Sequence, residues 1–135
     1  MTRSGTNMHG PKGYVINETG SMRLDLAPPV EISEEDTTKT NSFELVAVAY
    51  SACLGGAVGR ALAMKEIPYD DYFVKVTNNV FADEEKGGKL FQFDITINLD
   101  GVEEARKEEV VNLANQLCPF SKAIKGNVKT ALKIQ

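Results

Sequence analysis

The sequence predicts an α+β domain in which a largely antiparallel sheet packs on a long, buried central helix. Alternating apolar and polar residues indicate two strands near the start, a hairpin in the middle and a strand at the end. A segment without charged side chains between Glu44 and Arg60 is typical of a helix buried on all sides, and an amphipathic helix follows the hairpin. The predicted order is ββαββαβ, and 135 residues suit a single domain spanning residues 1–135.

The first two strands are predicted at residues 13–17 and 22–26. A glycine-containing turn separates them, and a pair of prolines ends the second strand. Residues 31–39 are acidic and rich in threonine, so we expect a solvated loop there. The sequence leaves open whether residues 1–9 are ordered.

The central helix is predicted to begin near Asn41 or Ser42, either of which can cap it, and to end before Pro68. Glu44 lies in the first turn, where the helix dipole favours a negative charge. The many alanine and glycine residues of this helix allow another element to approach its backbone closely. That element is either a neighbouring part of the same core or the equivalent helix of a second copy, and the residues leave this choice open.

A hairpin follows the central helix. Its strands are predicted at residues 71–81 and 90–99, and the second strand alternates strictly between apolar and polar side chains. Residues 102–118 then have the pattern of an amphipathic helix, after which a proline and a short basic turn lead to a final strand at residues 128–134.

Composition argues against several classes of function. The net charge of −4 and the pI near 5.0 do not suit binding to nucleic acid, which needs a basic face. His9 is the single histidine, and with two distant cysteines it does not make a metal site. Residues 45–59 are the longest stretch without charge and are shorter than a membrane span of about 20 residues. Because the first residues also lack an apolar leader, we expect a cytoplasmic protein without a membrane partner.

Cys53 in the central helix and Cys118 at the end of the second helix are the candidate reactive groups. Each taken alone is more often a small apolar core residue than a reactive thiol. In the cytoplasm, however, paired cysteines are more often transient or catalytic than structural. If the two helices cross near these positions, the two sulfur atoms can pair. Both interpretations stay open on these grounds.

The residues that surround the cysteines are more specific. Thr-Asn at residues 40–41 is followed by Ala-Tyr-Ser-Ala-Cys ending at Cys53, and Cys-Pro-Phe-Ser-Lys-Ala begins at Cys118 and is followed by Gly-Asn-Val at residues 126–128. These two blocks resemble the OsmC/Ohr family, and the second block is most similar to its organic hydroperoxide resistance branch. The similarity extends from about residue 10 to the end of the chain.

The resemblance implies an OsmC-like fold that forms an intertwined homodimer, with strands of both chains around the central helices and two active sites at the interface. It also implies a reaction. Cys53 would be the peroxidatic residue that attacks an organic or fatty-acid hydroperoxide, and Cys118 the resolving residue that converts the sulfenic acid to a disulfide. No metal, flavin or haem cofactor is implied. The reductant would be a dithiol such as that of a lipoylated protein.

The chain departs from the family pattern at two positions. Family members carry an arginine that activates the thiolate, where this chain has Pro11 followed by Lys12. They also carry a glutamate that holds this arginine, where this chain has Phe43 followed by Glu44. A step of one residue turns a helical side chain by about 100°, so Glu44 does not simply replace the family glutamate.

The leading hypothesis is a thiol peroxidase that either is slow or recruits Lys12 and Glu44 as a relocated supporting pair. Phe43, Pro119 and Phe120 are expected to line the pocket. One alternative is a dimer without catalytic activity that binds an apolar ligand, with Phe43 in the space of the missing charges. Another is a thiol redox sensor that uses the same two sulfur atoms.

Overall fold

A computed structural model of the chain describes residues 2–29 and 38–135. The chain forms two compact units, Met1–Leu45 and Val46–Gln135. A three-stranded sheet occurs in each unit, together with helices, so the α+β class predicted from the sequence is confirmed. Most of the predicted acidic loop, residues 31–37, lies outside the described residues.

The sheet of the first unit contains β1 (Gly5–Met8), β2 (Tyr14–Asn17) and β3 (Arg23–Asp25), all antiparallel. Strand β1 was not predicted, because its four residues do not alternate between apolar and polar side chains. A single turn of 3₁₀ helix, Gly10–Lys12, connects β1 to β2. Gly13 follows it, and a Cβ atom there would collide with the carbonyl oxygen of Met8.

Helix α1 (Ser42–Met64) begins at the cap that the sequence predicts. The side-chain Oδ1 of Asn41 accepts hydrogen bonds from the backbone N–H groups of Phe43 and Glu44, at 2.9 and 3.0 Å. The hydroxyl of Thr40 donates a further hydrogen bond of 2.7 Å to the carboxylate of Glu44. The two bonds to Asn41 satisfy N–H groups that have no partner inside the helix, so the helix begins directly after Asn41.

The sheet of the second unit has the order β4-β5-β6. Strands β4 (Asp71–Ala82) and β5 (Lys89–Asp100) form the predicted antiparallel hairpin. Strand β6 (Lys129–Ile134) pairs with β5 in a parallel arrangement and is an exception to the predicted, largely antiparallel pairing that β1–β2, β2–β3 and β4–β5 follow. The reason is the connection. The chain leaves the C-terminal end of β5, passes through two helices and enters β6 beside the N-terminal half of β5, so the two strands run in the same direction.

Two helices form that connection. Helix α2 (Glu104–Leu117) is the predicted amphipathic helix, and α3 (Pro119–Ile124) occupies most of the segment predicted as a basic turn. The core of the second unit lies between the inner face of β5, one face of α1 and one face of α2. Its largest fully buried side chains are those of Tyr50, Leu54, Leu62, Ile97, Leu99, Val58, Val110 and Cys118.

Helix α1 is buried on one face only in the described chain. The opposite face exposes apolar side chains, with Val48 64% and Met64 56% exposed. Ala49, Ala52, Gly56 and Ala63 are exposed as well. The prediction of a helix buried on all sides therefore holds for one face of α1 only.

Length and composition alone would allow α1 to cross a membrane. The helix has 23 residues and is the one helix among the described residues that passes this test. The length argument made for residues 45–59 therefore does not apply to the whole helix. The core helix of a soluble protein passes the same test, so this property is weak evidence for a membrane span.

Candidate active site

The fold brings the two cysteines together. The Sγ atoms of Cys53 and Cys118 are 3.3 Å apart, with the Cys118 thiol donating to the Cys53 sulfur. Cys53 lies in the middle of α1 and is half-buried, whereas Cys118 is fully buried. Both thiols are free. The pairing that the sequence analysis left conditional on a helix crossing is therefore present in the second unit.

Cys118 occupies the junction between α2 and α3. Its backbone is extended (φ −72°, ψ 119°), and it is both the C-cap of α2 and the N-cap of α3. Its N–H donates to the carbonyl of Ala114 at 2.9 Å, and its carbonyl accepts from the N–H of Lys122 at 3.1 Å. Pro119 follows as the first residue of α3, a position that needs no N–H donor. The junction holds the buried sulfur in one place.

Burial raises the pKa of the Cys53 thiol, because its surroundings disfavour the thiolate. The backbone N–H of Phe120 hydrogen bonds to Cys53 and acts in the opposite direction. The neighbouring Cys118 raises the pKa further. None of the groups that set this pKa is a cation, so at neutral pH the thiol is mainly protonated.

A buried tyrosine adjoins the thiol pair. The ring of Tyr50, one turn before Cys53, stacks on the ring of Phe120 with centroids 5.6 Å apart and meets the edge of Phe93 at 5.3 Å. Tyr50 is 1% exposed. Burial raises its pKa, so the hydroxyl is protonated at neutral pH. This aromatic cluster forms one wall beside the sulfur atoms.

The Tyr50 hydroxyl belongs to a short hydrogen-bond chain. It lies 3.0 Å from Oγ of Ser121, and Ser121 donates its own proton to Oδ1 of Asn115 at 3.1 Å. Because the serine has one proton, Tyr50 is the donor in the first bond. These three residues were not predicted, since Tyr50 and Ser121 lie 71 residues apart and only the fold pairs them. The presence of Tyr50 and Ser121 in the two cysteine blocks was the available signal, whereas Asn115 lies outside both blocks.

The other predicted site residues are distributed between the two units. Phe120 is half-buried beside Tyr50, and Pro119 is exposed. Lys12, Phe43 and Glu44 belong to the first unit.

Within that unit, Lys12 lines an open cavity of about 440 Å³ together with His9, Tyr14, Arg23, Asp25 and Lys39. Phe43 and Glu44 lie in the first turn of α1, where Thr40 binds the Glu44 carboxylate. Phe120 is the predicted pocket residue whose backbone hydrogen bonds to Cys53, so the structure groups it with the two cysteines.

The residues described also contain no group of three or more histidine, cysteine or acidic side chains that could hold a metal ion.

A family model described as OsmC-like protein matches residues 34–133. The chain belongs to this family. It is 29% identical over 135 residues to the organic hydroperoxide resistance protein OhrB of Bacillus subtilis, covering 100% of this chain and 98% of that protein. It is 30% identical over 125 residues to the organic hydroperoxide resistance protein-like 2 of Staphylococcus epidermidis, with 93% and 88% covered.

Solved structures agree with this membership. The crystal structure of Bacillus subtilis OhrB matches with a TM-score of 0.89 and 28% identity, covering 100% of this chain and 98% of that one. An organic hydroperoxide resistance protein from Elizabethkingia anophelis has a TM-score of 0.91 at 24% identity, with 100% and 96% covered, and supports the fold alone. The OsmC/Ohr resemblance and the OsmC-like fold expected from the sequence are confirmed.

Proposed function

We propose that this protein reduces organic hydroperoxides to alcohols, with Cys53 as the peroxidatic thiol and Cys118 as the resolving thiol. The observation that carries the proposal is the 3.3 Å separation of the two sulfur atoms across α1 and the α2–α3 junction. The names of the relatives, organic hydroperoxide resistance proteins, support the substrate class. We place the reaction in the cytoplasm.

In the first step the Cys53 thiolate attacks the outer oxygen of the hydroperoxide ROOH. The O–O bond breaks, the sulfur gains that oxygen as a sulfenic acid, and the alkoxide leaves and takes up a proton as the alcohol ROH. The N–H of Phe120, which hydrogen bonds to Cys53, supports the negative charge on the sulfur before the attack.

In the second step the Cys118 sulfur attacks the Cys53 sulfenic acid. A disulfide forms and water leaves, so two thiols and ROOH become one disulfide, ROH and H₂O. The separation of 3.3 Å must shorten to a bond of about 2.05 Å, which is a small movement of two side chains. An external dithiol, such as that of a lipoylated protein, then exchanges with the disulfide and restores both thiols.

Rapid mixing of the reduced protein with one equivalent of cumene hydroperoxide or of hydrogen peroxide tests the reaction. We expect fast loss of both thiols with the organic peroxide and a mass spectrum that contains a Cys53–Cys118 disulfide. The Cys53→Ser variant should stay reduced, and Cys118→Ala should stop at the sulfenic acid. Thiols that survive stoichiometric organic peroxide would refute the proposal.

We also propose a homodimer in which the exposed apolar face of α1 meets the same face of a second copy. Burying the exposed Val48 and Met64 would remove apolar surface from water, which favours association. Val48→Asp should shift the sedimentation mass from dimer to monomer, because it puts a charge into that interface. Asn112→Asp, on an exposed position of α2, introduces the same charge and should leave the mass unchanged. A monomeric native chain would contradict the proposal.

Two observations favour a second candidate function. The raised pKa of Cys53 and the proline at position 11 are both unfavourable for a fast peroxidatic thiol. A dimer that binds an apolar ligand, or a slow thiol redox sensor, would need no activated thiolate. Replacing Pro11 by Arg and Phe43 by Glu separates the candidates: a peroxidase that lacks only its activating pair should become faster, whereas a ligand-binding protein should lose affinity.

A further inference from the structure

We propose that a second site, a cavity between α2, α3 and the inner face of β6, binds a small anionic amphiphile, namely a carboxylate with an alkyl chain. The cavity has a volume of about 500 Å³ and is open on one side. Ligand sites of small molecules typically span about 300–1,000 Å³. Its lining residues are Tyr50, Ile95, Asn115, Gln116, Ser121, Lys122, Ile124, Lys125, Gly126, Val128, Thr130 and Leu132.

The site is separate from the thiol pair. Neither cysteine lines the cavity, although Tyr50 and Ser121 do. The proposal therefore stands whether or not Cys53 reacts with peroxides.

One wall of the cavity is aliphatic. Ile95 of β5 and Leu132 of β6 are partners in the parallel register, so both side chains point to the same side of the sheet. Ile124 and Val128 continue this wall from α3 to the start of β6. Leu132 is 40% exposed, which leaves part of its apolar surface in contact with water. An alkyl chain that covers this wall would remove that surface from water.

The rim of the cavity is positively charged. Lys122 and Lys125 line it, and no lining residue carries a carboxylate. The sequence after Glu109 contains four lysines and no acidic residue, so this part of the chain has a positive charge in a protein whose net charge is −4. Two lysines in the lining of a partly apolar cavity complement a ligand with an anionic head and an alkyl chain.

Part of the polar lining is already engaged. Ser121 accepts from Tyr50 and donates to Asn115, so this network holds the shape of the cavity beside these residues. We therefore assign the selection of a ligand to the two lysines and the aliphatic wall. A neutral alcohol of equal chain length lacks the first interaction, and a short carboxylate lacks the second.

Titration of the reduced, ¹⁵N-labelled protein with decanoate, decanol and acetate tests the site. We expect decanoate to shift the amide resonances of residues 115–132, with decanol at least about tenfold weaker and acetate without effect. The combined variant Lys122→Met and Lys125→Met should weaken decanoate binding by about tenfold or more. Lys133→Met removes the same kind of charge from a β6 residue that does not line the cavity, and it should bind decanoate like the native chain.

Leu132→Gln provides an independent test of the aliphatic wall, since this half-exposed position tolerates a polar side chain. It should weaken decanoate and leave the circular dichroism spectrum unchanged. The proposal would be overturned if the decanoate shifts centred on residues 51–54, if decanol bound equally well, or if Lys133→Met lost as much binding as the double variant. A cavity that binds no decanoate because a second copy of the chain covers it would overturn it as well.

Discussion

Protonation of one sulfur atom controls the proposed chemistry, and at Cys53 two neighbours act on it in opposite directions. The Phe120 N–H stabilises the thiolate, while burial and the Cys118 thiol disfavour it and raise the pKa. Because the thiolate is the nucleophile, a raised pKa lowers the reactive fraction at neutral pH. The family resemblance implies an activating arginine at the position of Pro11, and proline has neither a charge nor an N–H group.

We therefore predict that the oxidation of Cys53 by an organic hydroperoxide accelerates with pH. Below a raised pKa the thiolate fraction grows by about tenfold for each pH unit, so the rate should rise steadily between about pH 6 and pH 8. Stopped-flow measurement on the reduced protein gives this profile. Cys118→Ala removes a group that raises the Cys53 pKa, and it should move the profile to lower pH. A flat profile over this interval would show a thiolate that is already formed at pH 6.

At the scale of elements, the contact between α1 and α3 depends on the Tyr50 hydroxyl. Tyr50 is buried and donates to Ser121, so Tyr50→Phe leaves the serine oxygen without this donor. We expect a loss of about 1 kcal/mol in the free energy of unfolding, measured with urea. Ser121→Ala should cost a similar amount, and the double variant should cost less than the sum because both remove the same bond. Additive losses would contradict a direct bond.

A second element-scale contact is the crossing of α1 over β4. A Cβ atom at Gly59 would lie 2.5 Å from the Tyr72 hydroxyl oxygen and 3.4 Å from its ring carbon Cζ. Gly59→Ala should therefore destabilise the protein by about 1–3 kcal/mol, despite the better helix propensity of alanine. Tyr72→Phe removes the closest atom, so the double variant should regain most of this loss. A Gly59→Ala variant that is as stable as the native chain would show that Tyr72 moves without cost.

The helices and strands that the sequence predicted are those that a pattern of neighbouring residues indicates. The alternation in residues 90–99 and the Asn41 cap are properties of a few neighbouring residues, and both are found in the structure. Strand β1 was missed because its residues do not alternate between apolar and polar side chains, and helix α3 was missed because six residues are too few to show the period of a helix. The parallel pairing of β6 depends on the path of the chain through two helices.

The residues of the candidate site also fall into those that a local sequence pattern identifies and those that only the fold brings together. The two cysteines were identified from the residues beside them, whereas the partners of Tyr50 are set by contacts across 71 residues that no local pattern encodes. The cavity beside β6 belongs to the second group too, since its lining residues come from five elements and the turn before β6.

At the scale of the whole molecule, the two cysteines lie 65 residues apart in the sequence. A disulfide between them would close a loop of this length and reduce the entropy of the unfolded chain. We predict that the oxidised protein is more stable than the reduced one by about 4 kcal/mol in urea unfolding. Cys118→Ala cannot form the bond, so oxidant should leave its stability unchanged. Equal stability of both native forms would mean that strain in the oxidised state offsets the entropy.

The position of Cys118 between α2 and α3 has a consequence for the lifetime of the chain. The segment between the two cysteines contains the β4–β5 hairpin and all of α2. Once the sulfur atoms are bonded, α1 cannot separate from the α2–α3 junction without breaking a covalent bond, and the intervening peptide is less often exposed to proteases. Reduced chains would be degraded faster than oxidised ones, and the age distribution of the protein in a cell would follow its exposure to oxidant.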